Sequence, residues 1–461
     1  MSLEDQLVTA ARNGQLDLVK NLVEQGANLH AGNERALILA SGNARLDVVK
    51  YLVEQGANIH VCDGYALRQS AINGYLDVVK YLVEQRANFH AWDEETLRIS
   101  AEYGRLNVVK YLVEQGANLH VKDEYALRLA AMNGHLEVVK YLIEQGANLH
   151  ASNEEALRWA AENGRLDVVK YLVEQGADIH VIDENALGSA AVKGHLDVVK
   201  YLIEQGANLH ADDEHALRLA AEYGHLDIVK YLVGLGADIH CRNENALVSA
   251  AVKGHLNVVK YLVGLGADLH AKDEVTLRCA ALSDRLDVVK YLVCLGANPH
   301  AVGEYALKWS ARYGHLNIVK YLVELGADLH AEDEYALRWA TRDDRLDVIK
   351  YLVEQGANPQ GILDNASGYN PKTFNYIYYL AKVRPIIKKI NDQIDYAPIG
   401  RFKSFLQGGV KYQENSYRIL WTRIGQEIGN APPGHLKLLP DGSSGYQETK
   451  EWIEKEYPEN E

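Results

Sequence analysis

Apolar positions recur with a period of thirty residues from residue 4 to about residue 363. The segment 124–153, EYALRLAAMNGHLEVVKYLIEQGANLHASN, stands for the rest, and its frame fits twelve times without insertion or deletion. Ala126, Leu127, Ala130 and Ala131 fall at i, i+1, i+4 and i+5, a stripe of small residues on one helical face. Asp123 reads as the N-cap of that helix, with Glu124 near its positive end, and Gly134 as the left-handed residue that ends it. Leu136, Val138, Val139, Tyr141, Leu142 and Ile143 predict a second helix with a wider apolar face, ended by Gly146. The polar stretch ANLHASN turns back to the next unit. Helices this short are unstable alone, so only stacking on both sides buries their faces. The pattern predicts an all-α repeat solenoid of twelve helix-turn-helix rungs.

The core AAxxGHLxVVKYLxxxGAxx resembles the ankyrin repeat, over nearly four-fifths of the chain. Ankyrin units usually run 33 residues and carry T-P-L-H, whereas these run 30 and read A-L-R there. The three missing residues fall in the connecting finger, which implies shortened β-hairpins and leaves the usual Thr–His bonding between repeats without its residues. The shortened form, with ALRxAA and VVKYLVEQGANxH, resembles the ankyrin proteins encoded by giant DNA viruses of the mimivirus type. Such an origin implies action in the host cytoplasm, with virion association as an alternative.

Composition narrows the picture. No apolar run approaches the ~18 residues of a membrane span, and the start, Met1-Ser2-Leu3-Glu4-Asp5, lacks the regions of a signal peptide. Four cysteines (Cys62, Cys241, Cys279, Cys294) fit neither a disulfide framework nor paired zinc spacing, which predicts a reducing, intracellular setting. The net charge of −15 is uneven: residues 361–461 hold 13 basic and 12 acidic residues, and residues 1–360 hold 35 and 51, a balance of −16. Such an acidic body repels nucleic acid and anionic lipid.

Two residue columns invite chemistry. Histidines recur every thirty residues from His30 to His330, but stacked helices stand roughly 8–10 Å apart while zinc needs ligands about 2.0–2.1 Å away, so successive rungs cannot share an ion. These histidines read as loop hydrogen-bonding groups, and no metal or cofactor is expected. Arg98, Arg128, Arg158, Arg218, Arg278 and Arg338 each follow a glutamate four residues earlier, a spacing that predicts surface ion pairs ahead of a phosphate site. The tyrosines at 51, 81, 111 and onward read as packing between rungs. No nucleophile–base pair, phosphate loop or metalloprotease motif is recognisable, and an enzyme is not expected.

Residues identical in every rung build the scaffold, so the variable ones are candidates for recognition. They lie by the finger (Trp92, Lys122, Ile182, Arg242), at the second position after the presumed cap (Tyr65, Tyr125, His215, Tyr305, Tyr335) and just before the inter-helix glycine. In ankyrin repeats these columns line the concave binding surface, and Tyr, Trp, Met and Arg are enriched at interfaces. The candidate partner-binding set is Tyr65, Trp92, Tyr103, Tyr125, Met132, Lys193, Tyr223, Lys253, Arg312 and Tyr313. Trp159, Trp309 and Trp339 read as half-buried. In rungs eight to eleven Leu235, Leu265, Leu295 and Leu325 replace the glutamine before the terminal glycine. They predict an apolar strip that receives a ligand protein or the chain's own C-terminal region. Ala44, Asp284 and Asp344 stand in place of the inter-helix glycine, and Arg86 in place of the terminal one, marking rungs with strained turns.

After residue 360 the period stops, and seven of the nine prolines and three of the four phenylalanines follow. The domain reading is a solenoid over 1–363, a linker over 364–371 and a C-terminal module over 372–461. Within the module, 372–396 reads as helical with a break at Pro385, 401–429 as amphipathic, and 447–457 as a final acidic helix. Segment 372–423 has ten basic and three acidic residues, which suits either nucleic acid or docking on the acidic solenoid. The expected function is a monomeric protein-binding scaffold or adaptor. The alternatives are a nucleic-acid-associated protein acting through 372–423, and a ubiquitin-ligase substrate adaptor acting through the C-terminal module.

Overall fold

A computed structural model describes residues 2–364, 369–378 and 380–381. The chain divides into two compact units, Met1–Ala246 and Leu247–Glu461, with the division inside the helix Cys241–Lys253. Within each unit the thirty-residue period is a pair of short helices per rung. In rung five these are Tyr125–Asn133 and Leu136–Glu144; the last pair is Ala331–Arg342 and Leu346–Glu354. The described residues form helices and turns with no strand, an all-α repeat solenoid.

The core follows the predicted stripes and is narrower on the second helix. Ala126, Leu127, Ala130 and Ala131 are buried, as are Val138, Val139 and Leu142. Leu136, Tyr141 and Ile143 are half-buried at the rim. Burying three such side chains in every rung stabilises the stack by about 1.5–3 kcal/mol each. Gly134 and Gly146 take φ of +80° and +94°. Ala44, Asp284, Asp344 and Arg86 occupy the same left-handed region at φ of 58–67°.

The finger departs from expectation. The connection contains no hairpin strands among the described residues; each of nine rungs makes a left-handed turn of three residues ending in glutamate. Lys122, Asp123 and Glu124 have φ of 50°, 52° and 61°. Asp123 is therefore not an N-cap: the helix starts at Tyr125 with no side-chain cap bond, and Asp123 is the middle of the turn. That middle position holds Asn, Asp or Gly throughout (Asn33, Asp93, Asn153, Asp213, Gly303), the residues for which left-handed backbone costs least.

Side chains hold the turn in place. Arg98 donates from Nε to the Asp93 carbonyl at 2.9 Å and from Nη2 to the Trp92 carbonyl at 2.8 Å. Arg68 and Arg218 do the same in their rungs. The predicted Glu–Arg ion pairs at i, i+4 are thus replaced: the arginine binds the turn, and the glutamate is buried. Its partner is the histidine four residues before. His90 Nδ1 lies 2.6 Å from Glu94 Oε1, and the pairing recurs at 2.5–2.9 Å from His30–Glu34 to His330–Glu334. The same Glu94 oxygen accepts the backbone N–H of Asn118, at the far end of the same rung, at 3.1 Å, as Glu304 does from Asp328. The histidine column is loop hydrogen bonding, and its glutamate ties the turn at the start of a rung to the connection at its end.

A second tie runs between inter-helix turns. His135 Nε2 donates to the Glu102 carbonyl at 2.8 Å, and Arg165 Nε donates to the Met132 carbonyl at 3.1 Å. His or Arg fills this position in rungs two and four to twelve, and either can present one N–H to the preceding rung. On the second helices, ten lysines lie over the next rung's tyrosine ring at 5.5–5.9 Å, as Lys80 does over Tyr111. Those tyrosines pack between rungs as expected, and partial burial raises the Tyr111 pKa.

Beyond the last rung lie helices Gln360–Leu363 and Pro371–Tyr378, with Ile362, Phe374, Ile377 and Leu380 buried. Pro371–Tyr378 packs on the second helix of rung twelve. Asp344, in the glycine position of that rung, accepts from Asn370 Nδ2 at 3.0 Å and Thr373 Oγ1 at 2.5 Å. The break at Pro385, the amphipathic stretch 401–429 and the acidic segment 447–457 lie outside the described residues.

Candidate partner-binding surface

The variable positions lie on the first helices and their turns. Trp92 is 64% exposed at the tip of its turn, and its Nε1 donates to Asp63 Oδ2 of the preceding turn at 2.9 Å. Tyr65, Tyr103, Tyr223 and Tyr313 are exposed, as are Lys193 and Lys253. Tyr125, Met132 and Arg312 are half-buried. Nearly constant interior positions beneath variable exposed ones are the arrangement of a fixed scaffold carrying a variable face.

Two groups bring these residues together. In the first unit, Tyr125 and Trp159 meet edge to face at 6.0 Å, and the Arg128 guanidinium lies 5.0 Å from one ring and 5.4 Å from the other. Carboxylates neutralise the cations there: Glu155 pairs with Arg128 and Arg158, and Glu162 with Arg158 and, at 3.7 Å, with Lys193. Burial depresses the Arg128 pKa.

In the second unit, Tyr305, Trp309 and Tyr313 form a continuous column on helix Ala301–Tyr313, with centroids 5.7 and 5.9 Å apart. Arg312 lies between the rungs, 4.8 Å from Trp309 and 4.1 Å from Trp339, and binds Asp343 at 3.0 Å. The three tryptophans are half-buried, as the sequence implies. Sequence reasoning missed the interleaving of Arg312 with two indoles. The spacing W-x-x-R, at 309–312 and again at 339–342, carries that signal.

Leu235, in the first unit, and Leu265, Leu295 and Leu325, in the second, are 37–48% exposed at the C-terminal ends of their second helices. In the second unit the three leucines stand on successive stacked rungs. Among the described residues no group of three or more His, Cys, Asp or Glu is placed to hold a metal ion, and no helix is long and apolar enough to cross a membrane. All four cysteines are free thiols. Burial, followed by Glu214, pushes the Cys241 pKa up to about 11, and burial raises Cys279.

A family model described as ankyrin repeats (3 copies) matches residues 7–93, 61–123, 97–183, 182–243, 240–303 and 277–361. The chain belongs to the ankyrin-repeat family. Among solved structures, the human ASB11 ankyrin repeat domain matches at 26% identity and a TM-score of 0.40, over 44% of this chain and 98% of that one. No curated protein matches the chain. Ankyrin repeats generally mediate protein–protein interactions, and the fold is typically a non-enzymatic scaffold.

Proposed function

We propose that the protein is a binding scaffold or adaptor that grips a protein partner on the first-helix face of its repeats. One observation carries the reading: exposed Tyr, Trp, Lys and Arg occupy positions that differ from rung to rung, over interior positions that exchange only among small or aliphatic residues. These residue types dominate interface energetics. The carboxylates around the Arg128 group favour a folded protein surface over a polyanion. The protein works as a monomer and carries out no reaction of its own. The leucines of rungs nine to eleven, Leu265, Leu295 and Leu325, form a second contact site, and the region beyond residue 363 recruits a further protein. On repeat style alone, we assign the chain to the giant-virus group and its action to the host cytoplasm.

Affinity purification on the full chain, with and without nuclease, tests the reading. Nuclease-resistant recovery of one protein at stoichiometric yield supports it. Salt-dependent retention of DNA or RNA, lost on neutralising Lys388, Lys389, Arg401 and Lys403, would replace it with a nucleic-acid role. Recovery of a ubiquitin ligase that still binds after the first-helix tyrosines are removed would point to the region beyond residue 363.

A further inference from the structure

Rung twelve is covered unevenly. Helix Pro371–Tyr378 packs on its second helix. On its first helix and the turn that follows, Arg338, Arg342 and Arg345 are all exposed. Arg338 and Arg342 fall at i and i+4 on one face of helix Ala331–Arg342, and Arg345 follows in the turn. Their equivalents in rung eleven, Lys308, Arg312 and His315, are buried or half-buried, with Lys308 paired to Glu332 and Arg312 to Asp343 of rung twelve. Three nearby carboxylates are taken: Glu332 by Lys308 at 2.6 Å, Asp343 by Arg312 at 3.0 Å, and Asp344 by Asn370 and Thr373.

The three arginines have no carboxylate partner among the described residues. Arg338 and Arg345 each donate one N–H to a backbone carbonyl, of Glu332 and Arg312. Arg342 lies 4.6 Å from the Trp339 ring. A guanidinium carries five N–H donors, so most of each fork is open. Trp309, Trp339 and the exposed Tyr313 lie beside them. On a repeat region with a balance of −16, this is a basic, aromatic face suited to paired carboxylates next to an aromatic side chain.

We propose that its occupant is the chain's own C-terminal segment, residues 447–461. That segment, QETKEWIEKEYPENE, holds six glutamates and two lysines together with Trp452 and Tyr457. Its charge complements the arginines. Segment 382–423, with nine basic and three acidic residues, is disfavoured by like charge. The described chain ends at residue 381 beside rung twelve, and 65 residues, 382–446, lie between that point and the acidic segment. That length reaches back one rung with ease. Docking there covers Arg312 and Tyr313, so an external partner on rungs eleven and twelve must displace the tail. The inference does not rest on the protein-binding reading, since it concerns contacts within one chain.

Hydrogen exchange on the full-length protein tests it. Amides of residues 448–457 are expected to exchange about tenfold faster in Arg338→Glu/Arg342→Glu than in the wild type, and to be unchanged in Arg338→Lys/Arg342→Lys. Adding Glu451→Arg/Glu454→Arg to the Arg→Glu pair should restore part of the protection. If the Arg→Glu pair opens rung twelve itself, seen as faster exchange over 331–354, Glu451→Arg/Glu454→Arg alone carries the test and should free the tail equally. Equal exchange of 448–457 in the wild type and both charge reversals would overturn the proposal. So would protection that grows with protein concentration, which would assign the site to the tail of a second copy.

Discussion

His135 lies across Gly104. Its Nε2 donates to the Glu102 carbonyl at 2.8 Å, and a Cβ added to Gly104 would stand 2.5 Å from its Nδ1. Gly104 is therefore required twice, for a φ of +68° and for the room that the next rung's side chain takes. Gly104→Ala should cost more than the ~1–2 kcal/mol of left-handed backbone alone, read as a fall in thermal midpoint. His135→Ala should cost about 1 kcal/mol. The double variant should lose less than the sum, because removing the ring removes the clash. His135→Arg should be close to neutral, since arginine fills this position in other rungs.

The left-handed turn makes a prediction that an N-cap does not. Asp123→Gly should leave stability unchanged or raise it, while Asp123→Val should lower it by about 1–2 kcal/mol. Chemical denaturation of the two variants checks the order. Arg98→Lys should also destabilise, because a single ammonium cannot serve both the Asp93 and Trp92 carbonyls at once.

The His–Glu pairs set a pH dependence. A hydrogen bond to Glu334 raises the His330 pKa above 6.5, and a hydrogen bond to Glu274 does so for His270. A raised folded-state pKa means that these contributions are complete below pH 6.5 and fade as the pH rises through the folded value. Rungs ten and twelve should exchange amide hydrogen more slowly at pH 6 than at pH 8, after correction for the intrinsic rate. Glu334→Gln should flatten that dependence in rung twelve.

Thiol chemistry separates the cysteines. Cys62 and Cys294 are exposed, Cys241 is buried with its pKa near 11, and burial raises Cys279. Alkylation at pH 8 should label the first pair at least ten times faster than the second. Uniform labelling of all four would mean that the rungs around Cys241 and Cys279 open readily.

Much of the fold was legible because the repetition is strict. Twelve copies of one frame make the stripe Ala126, Leu127, Ala130, Ala131 unmistakable, and every non-glycine in a glycine position fell in the left-handed region as expected. The finger was not legible, because Asp before Glu ahead of an apolar run resembles a capped helix. The clue was the Asn, Asp or Gly at the middle position. The Glu94–Arg98 spacing misled for a related reason: local spacing says nothing of burial, and the turn offers Arg98 two carbonyls while His90 claims the carboxylate. The aromatic column over Arg312 was only half visible, since it needs two rungs in register to bring Trp309 and Trp339 to one guanidinium.

The central claim is that the variable first-helix face binds a protein. The most direct measurement is the affinity of the recovered partner for the full chain and for Tyr103→Ala/Tyr223→Ala/Tyr313→Ala. These three exposed residues are peripheral to the core, so the thermal midpoint should not move. The account predicts a loss of affinity of about a hundredfold or more, as expected when at least one hot-spot aromatic is removed. Unchanged affinity, with the loss appearing instead in Leu265→Gln/Leu295→Gln/Leu325→Gln, would contradict it and move the binding site to the second helices.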